Sequence, residues 1–180
     1  MLVYLTPADF YANSMGELSA RVEKYCLVFF NAPACGFCKD LLPTFISVSE
    51  ALPKLSVAGD AKACKFAVMD VTQEDMHVVK LSKKTKNELK FVPLIVLYFD
   101  GTPIAAFTAN EDNPKANFEL LINFITGSIK NWTAVRPGVV SRPFQQVASR
   151  PGVSAHSTGA PICGPKGKLC YFKESDAYKG

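Results

Sequence analysis

Three short and almost unbroken apolar runs constrain this chain more than any other feature: Tyr25 to Phe30, Phe66 to Val71 and Phe91 to Phe99. A strand that is apolar at nearly every position has neither face in water, so such runs belong inside a sheet covered on both sides. Helix patterns separate them. One runs from about Gly36 to Leu52, with Leu41, Leu42, Phe45, Ile46 and Ala51 on its apolar side and Pro53 to stop it. A second spans Gln73 to about Lys83. A third opens at Asn113-Pro114 and repeats Phe118, Leu121, Ile122 and Ile125 at helical spacing. Leu2 to Leu5 is a strand, and Thr6 can cap a helix with Pro7 at its first position and Asp9 in its first turn. Asp100-Gly101 signals a hairpin, with Ile104 to Thr108 as the returning strand. The order β-α-β-α-β-α-β-β-α predicts an α/β fold: a central mixed sheet with helices on both faces.

Beyond Thr126 the texture changes. The last 54 residues hold seven of the eleven Gly and five of the twelve Pro, and Arg-Pro occurs at 136–137, 142–143 and 150–151. Such a stretch does not easily build helix or interior strand. Residues 1–126 are therefore expected to form the domain, and 127–180 an extended arm. The overall charge of +4 is unevenly split: the arm carries +6, leaving −2 for the domain. The arm lacks the aromatic–basic interleaving of a nucleic-acid module, so nucleic acid is not an expected partner. Its sparse apolar residues (Val139, Val140, Phe144, Tyr171 and Phe172) suit docking on a protein surface or a larger assembly. Lys80, Lys83, Lys84, Lys86 and Lys90 form either a solvated face or a surface that selects acidic partners.

No apolar run is long enough to span a bilayer. The start, Met1-Leu2-Val3-Tyr4-Leu5-Thr6, lacks the basic and long apolar segments of a secretory signal. These readings point to an intracellular, cytoplasmic protein, in which the Asn131-Trp132-Thr133 sequon is silent. Six cysteines in such a chain are not by default a disulfide framework. Cys26 and Cys64, on or beside strands, read as buried structural thiols.

The close pair Cys35-Gly36-Phe37-Cys38 is different. Two cysteines three residues apart at a helix start share one face, about one turn apart, near a disulfide's usual Cα spacing of roughly 5.5 Å. The unpaired N–H groups and the positive end of the helix there favour a thiolate. The alternatives are half a zinc site or two core cysteines. A zinc site needs two more ligands, and His77 and His156 are the only histidines. Cys163 and Cys170 enclose six residues that include Gly164, Pro165 and Gly167. They read either as a small disulfide loop, a candidate second redox pair exchanging electrons with Cys35 and Cys38, or as two unpaired thiols.

The segment Leu27 to Lys39, a buried strand, a short turn and a Cys-x-x-Cys opening a helix, resembles the thioredoxin and protein disulfide isomerase superfamily. Pro43, five residues after the second cysteine, Val92-Pro93 before the third strand, the Asp100-Gly101 turn and the closing helix agree with it. The opening Leu5-Thr6-Pro7-Ala8-Asp9-Phe10 looks more like a disulfide isomerase domain than a bacterial thioredoxin. The resemblance implies that Cys35 is the nucleophile and Cys38 the resolving cysteine. It also implies a cis Pro93 that sets the Val92 backbone against the sulfurs, with Gly36, Phe37, Val92 and Pro93 meeting substrate. No cofactor or metal is implied. Three positions depart from the family pattern: Ala34 stands where a Trp is usual, Phe29 where a buried acid carries protons, and Phe66 where its lysine partner is expected. Loss of a positioned proton carrier typically costs about 10²–10⁴-fold in rate.

Two functions follow. One is a thiol–disulfide oxidoreductase acting on protein disulfides through Cys35 and Cys38. The other is a thioredoxin-fold structural or adaptor protein of a larger assembly, such as a large DNA virus particle, with weak or no redox activity.

Overall fold

The run Tyr25–Asn31 is the middle of the molecule, and its first six residues are buried. The computed structural model describes residues 2–57, 59–71 and 76–135, with the two short strands Ile162–Cys163 and Cys170–Tyr171. In chain order the strands are β1 (Leu2–Leu5), β2 (Phe10–Ala12), β3 (Leu18–Ala20), β4 (Tyr25–Asn31), β5 (Lys65–Asp70), β6 (Phe91–Val92), β7 (Leu94–Phe99), β8 (Thr102–Phe107), β9 (Ile162–Cys163) and β10 (Cys170–Tyr171). The helices are α1 (Gly36–Ala51), α2 (Gly59–Lys62), α3 (His77–Ser82) and α4 (Asn117–Ala134).

Five strands form the central sheet in the order β1-β5-β4-β7-β8. β1, β5 and β4 are parallel, while β7 and β8 add on antiparallel. The expected α/β class, a mixed sheet with helices, is the one observed. Alternation along β4 shows what covers each face. Phe29 meets Phe45 of α1, with ring centroids 5.2 Å apart, whereas its neighbour Phe30 meets Phe10 of β2 at 5.4 Å. On the α1 side α4 completes the cover, through Phe99–Trp132 and Phe107–Phe124. Burying one such aromatic side chain is worth about 1.5–3 kcal/mol.

Three elements differ from expectation. The helix expected after Thr6 is a single 3-10 turn, Pro7–Asp9, followed by the β2–β3 hairpin. The cap itself forms, with Asp9 Oδ2 accepting from Thr6 N at 2.7 Å. The helix stops because Asn13 Oδ1 accepts from the backbone N–H groups of Met15 and Glu17, which supplies a turn that competes with helix. Second, the run from Phe91 to Phe99 is two strands, because the Val92–Pro93 peptide is cis and Pro93 has no N–H for a ladder. Third, α4 continues to Ala134, across the compositional change at Thr126. Ile125 and Ile129 carry its buried stripe through Gly127. Most of the expected arm, residues 136–161, 164–169 and 172–180, lies outside the described residues, as does His156.

At the β7–β8 turn Asp100 and Gly101 both have positive φ, 44° and 81°. That is the left-handed geometry a two-residue hairpin turn requires. A Cβ on Gly101 would also stand 2.6 Å from the Ala20 carbonyl oxygen, so glycine is needed for close approach as well. No helix among the described residues is long and apolar enough to cross a membrane.

Candidate functional site

β4 runs out of the sheet at Asn31, whose carbonyl accepts from Val71 N at 2.7 Å. The chain then turns through Ala32, Pro33 and Ala34, with Cys35 N donating to the Ala32 carbonyl at 2.9 Å. This turn delivers Cys35 to the N-cap of α1 in extended conformation, with φ −85° and ψ 110°. Its sulfur accepts from the backbone N–H of Cys38 at 3.2 Å. An N-cap side chain ordinarily uses an oxygen for this purpose. Here the sulfur does it, and the same N–H would stabilise a thiolate, as would the positive end of a sixteen-residue helix.

Cys35 and Cys38 are joined as a disulfide, with their Cα atoms 5.2 Å apart. Cys35 Sγ lies 3.7 Å from the carbonyl oxygen of Val92, at the start of the cis peptide. The structure therefore brings together Cys35, Cys38, Val92 and Pro93 from two elements far apart in sequence. Gly36 is exposed, while Phe37, Val92 and Pro93 are buried. Both site cysteines are themselves fully buried.

The surroundings are apolar. Phe29 and Phe66 are buried, and Phe45 bridges them, with ring centroids 5.2 and 5.3 Å away. Phe45 lies seven residues beyond Cys38, on the same face of α1. Aromatic rings thus fill the positions where the resemblance expects an acid and its lysine. Lys65, the neighbour of Phe66, is turned to the surface and pairs with Glu23 at 3.7 Å. Ala34, at the usual Trp position, is exposed.

The remaining cysteines separate into two groups. Cys26 and Cys64 are buried and not in a disulfide. Burial pushes the Cys26 thiol up to about 12, against a smaller opposing pull from Lys65. Burial raises Cys64 further, with Cys26 adding to the rise. Neither can supply a thiolate near neutral pH. Cys163 and Cys170 occupy directly opposed positions on β9 and β10. β10 also pairs antiparallel with β6, which places Cys170 opposite Val92 and Tyr171 opposite Phe91. Sequence reading missed this pairing with β6. The only local sign of it is that Leu169-Cys170-Tyr171-Phe172 is the most apolar stretch near the chain's end.

The lysines near this edge are mostly exposed. Lys90 pairs with Glu88 at 3.8 Å, and Lys80 and Lys84 face outward. Among the described residues no three His, Cys, Asp or Glu side chains gather as metal ligands.

The family model for thioredoxin matches residues 6–123. Uncharacterized protein 196R of Invertebrate iridescent virus 6 is 26% identical over 192 residues, covering 99% of this chain and 94% of that protein. Uncharacterized protein 020R of Invertebrate iridescent virus 3 is 26% identical over 157 residues, covering 86% and 79%. Among solved structures, the long form of spinach chloroplast thioredoxin f aligns over 71% of this chain and 86% of its own, at 14% identity and a TM-score of 0.45. Chlamydomonas reinhardtii thioredoxin f2 aligns over 69% and 95%, at 21% identity and a TM-score of 0.45. With a family model that matches residues 6–123, the Cys35–Cys38 disulfide and the Val92–Pro93 peptide beside it, the chain belongs to the thioredoxin family.

Proposed function

We propose that this protein is a dithiol–disulfide oxidoreductase acting on protein thiols and disulfides, with no bound cofactor. The observation that carries this reading is the placement of Cys35. Its sulfur is bonded to Cys38, accepts the Cys38 N–H, and lies 3.7 Å from the Val92 carbonyl. In the reduced protein the Cys35 thiolate attacks one sulfur of a substrate disulfide, and the other substrate sulfur leaves as a thiolate. The Cys38 thiolate then attacks Cys35 Sγ, forming the Cys35–Cys38 disulfide and releasing the second substrate sulfur. Two electrons pass to the substrate, and solvent supplies the protons its thiolates take up. Val92 and Pro93 hold the substrate main chain against the sulfurs, and Gly36 and Phe37 shape the turn between the two cysteines.

The aromatic filling of the Phe29 and Phe66 positions sets the expected pace. With no ionisable group there to relay the Cys38 proton, the resolving step depends on solvent and runs slowly for this family. Insulin reduction driven by dithiothreitol tests the reading. The unmodified chain should accelerate precipitation of insulin, and Cys35→Ser should return it to the background rate. Equal rates for the two proteins would remove the enzymatic reading.

A second reading is a thioredoxin-fold adaptor or structural component of a virus particle, its basic arm engaging a protein partner. It is favoured by the full burial of both site cysteines and by the two relatives being iridescent virus proteins. Background-level insulin reduction, together with a defined complex in size-exclusion chromatography, is its expected signature.

A further inference from the structure

β10 pairs with β6, so a segment of the chain itself lies along the Val92 edge where a substrate main chain would be held. β6 is two residues long, Phe91–Val92, and both are taken by Tyr171 and Cys170 in antiparallel register. The third strand, β9, lies on the far side of β10 and sets Cys163 opposite Cys170. Val92, Cys170 and Cys163 therefore form one row across three strands, and the first of them has its carbonyl oxygen 3.7 Å from Cys35 Sγ. Among the described residues of the arm, the position opposite Val92 is a cysteine.

We infer that Cys163 and Cys170 are a second dithiol–disulfide pair, which β10 presents to Cys35 as a substrate built into the same chain. This rests on the oxidoreductase reading above and adds its substrate. The backbone placement suits the chemistry. Directly opposed residues of an antiparallel pair have Cα atoms about 4.5–5.5 Å apart, and a disulfide needs about 4.4–6.8 Å. Neighbouring strands are separated by about 4.8 Å, so Cys170 is one strand spacing from the residue that touches Cys35. Tethering then decides which substrate is served first. A segment held on the same chain has an effective concentration in the millimolar range, about 10³ times that of a micromolar protein disulfide.

The exchange balances without an outside reagent. From the Cys163–Cys170 disulfide, the Cys35 thiolate attacks the Cys170 sulfur and Cys163 leaves as a thiolate. The Cys38 thiolate attacks Cys35 Sγ, and Cys170 leaves in turn. The Cys35–Cys38 disulfide forms as the Cys163–Cys170 disulfide is reduced, with two electrons moving between the pairs and no net change in the chain. Run backwards, the same steps oxidise Cys163 and Cys170. Outside dithiols or disulfides then exchange with the arm's pair, while the buried pair at α1 exchanges with the arm.

The test uses the full chain carrying Cys38→Ser, which removes the forward resolving sulfur and leaves the Cys35–Cys170 mixed disulfide in equilibrium with the Cys163–Cys170 disulfide. The protein is reduced, reoxidised with one equivalent of diamide, quenched in acid, alkylated and digested for mass spectrometry. Circular dichroism checks its fold, and Cys38→Ala serves as a second trap if the serine hydroxyl disturbs the buried site. The expected product is a Cys35–Cys170 linked peptide with Cys163 alkylated, in monomeric protein, at a yield unchanged over about tenfold dilution. A Cys163–Cys170 link with no Cys35–Cys170 link beside it, a link from Cys35 to Cys163, a link between chains, or alkylation at all three positions would each overturn it. Insulin reduction by the unmodified chain and by Cys35→Ser runs in parallel. Insulin activity without the Cys35–Cys170 link removes only the built-in substrate, whereas equal insulin rates remove the oxidoreductase reading itself.

Discussion

Cys26 and Cys35 are nine residues apart, yet their surroundings assign them opposite chemistry. Cys35 is an N-cap with a backbone N–H on its sulfur, whereas Cys26 is inside the sheet between Lys65 of β5 and Tyr98 of β7. Burial lifts the Cys26 thiol to about 12, and raises Tyr98 as well. This has a consequence for stability with a definite sign. An unfolded thiol loses its proton near pH 8.5, while the folded protein keeps the Cys26 proton to a much higher pH. Between those values the native state holds more protons than the unfolded state, so stability falls as pH rises. The contribution is complete below about pH 8.5 and declines towards about 12. Urea unfolding midpoints measured from pH 8 upward should fall steadily, and less steeply for Cys26→Ala. The residue identities at the redox turn were legible in sequence, because Cys-x-x-Cys at a helix start is a local pattern. That Phe29, Phe45 and Phe66 would stack into one cluster was not, since they lie on three separate elements.

At the scale of elements, local signals succeeded where a single segment carries its own reason. α1 starts and ends within a residue or so of its expected bounds, and β1 matches. They failed where a side chain redirects the backbone. Asn13 turned an expected helix into a hairpin, and Pro93 divided one apolar run between two sheets. The hairpin matters to the site through Asn87. This buried side chain accepts from Leu18 N at 2.6 Å and donates to Leu18 O at 3.2 Å, tying β3 to the loop that leads into β6. Asn87→Ala would strand a buried N–H and a buried carbonyl, at about 1–3 kcal/mol each. The expected result is a drop of about 2–6 kcal/mol in unfolding free energy from urea titration, with β4 and β7 still folded. A change below about 0.5 kcal/mol would mean that the loop is held otherwise.

For the whole molecule, the decisive contact is between segments about eighty residues apart in sequence, β6 and β10. It connects the arm, with its surplus of positive charge, to the edge beside the disulfide. Proline at position 170 would remove the N–H that a ladder strand needs. In the full chain, Cys170→Pro should speed amide exchange at Phe91 and Val92 by an order of magnitude or more. The strands β4 and β7, buried in the central sheet, should exchange as before. Unchanged exchange at Phe91 and Val92 would show that β10 contributes nothing to holding that edge.

The amino-acid sequence determined the buried strands, the Cys35–Cys38 turn and the helix that opens on it. Each of these follows from spacing, capping and apolar runs within one stretch of chain. Tertiary structure alone decided which strand lies against Val92. Two-residue strands carry too little local preference to choose a partner, so their pairing is set by which edges the folded sheet leaves within reach.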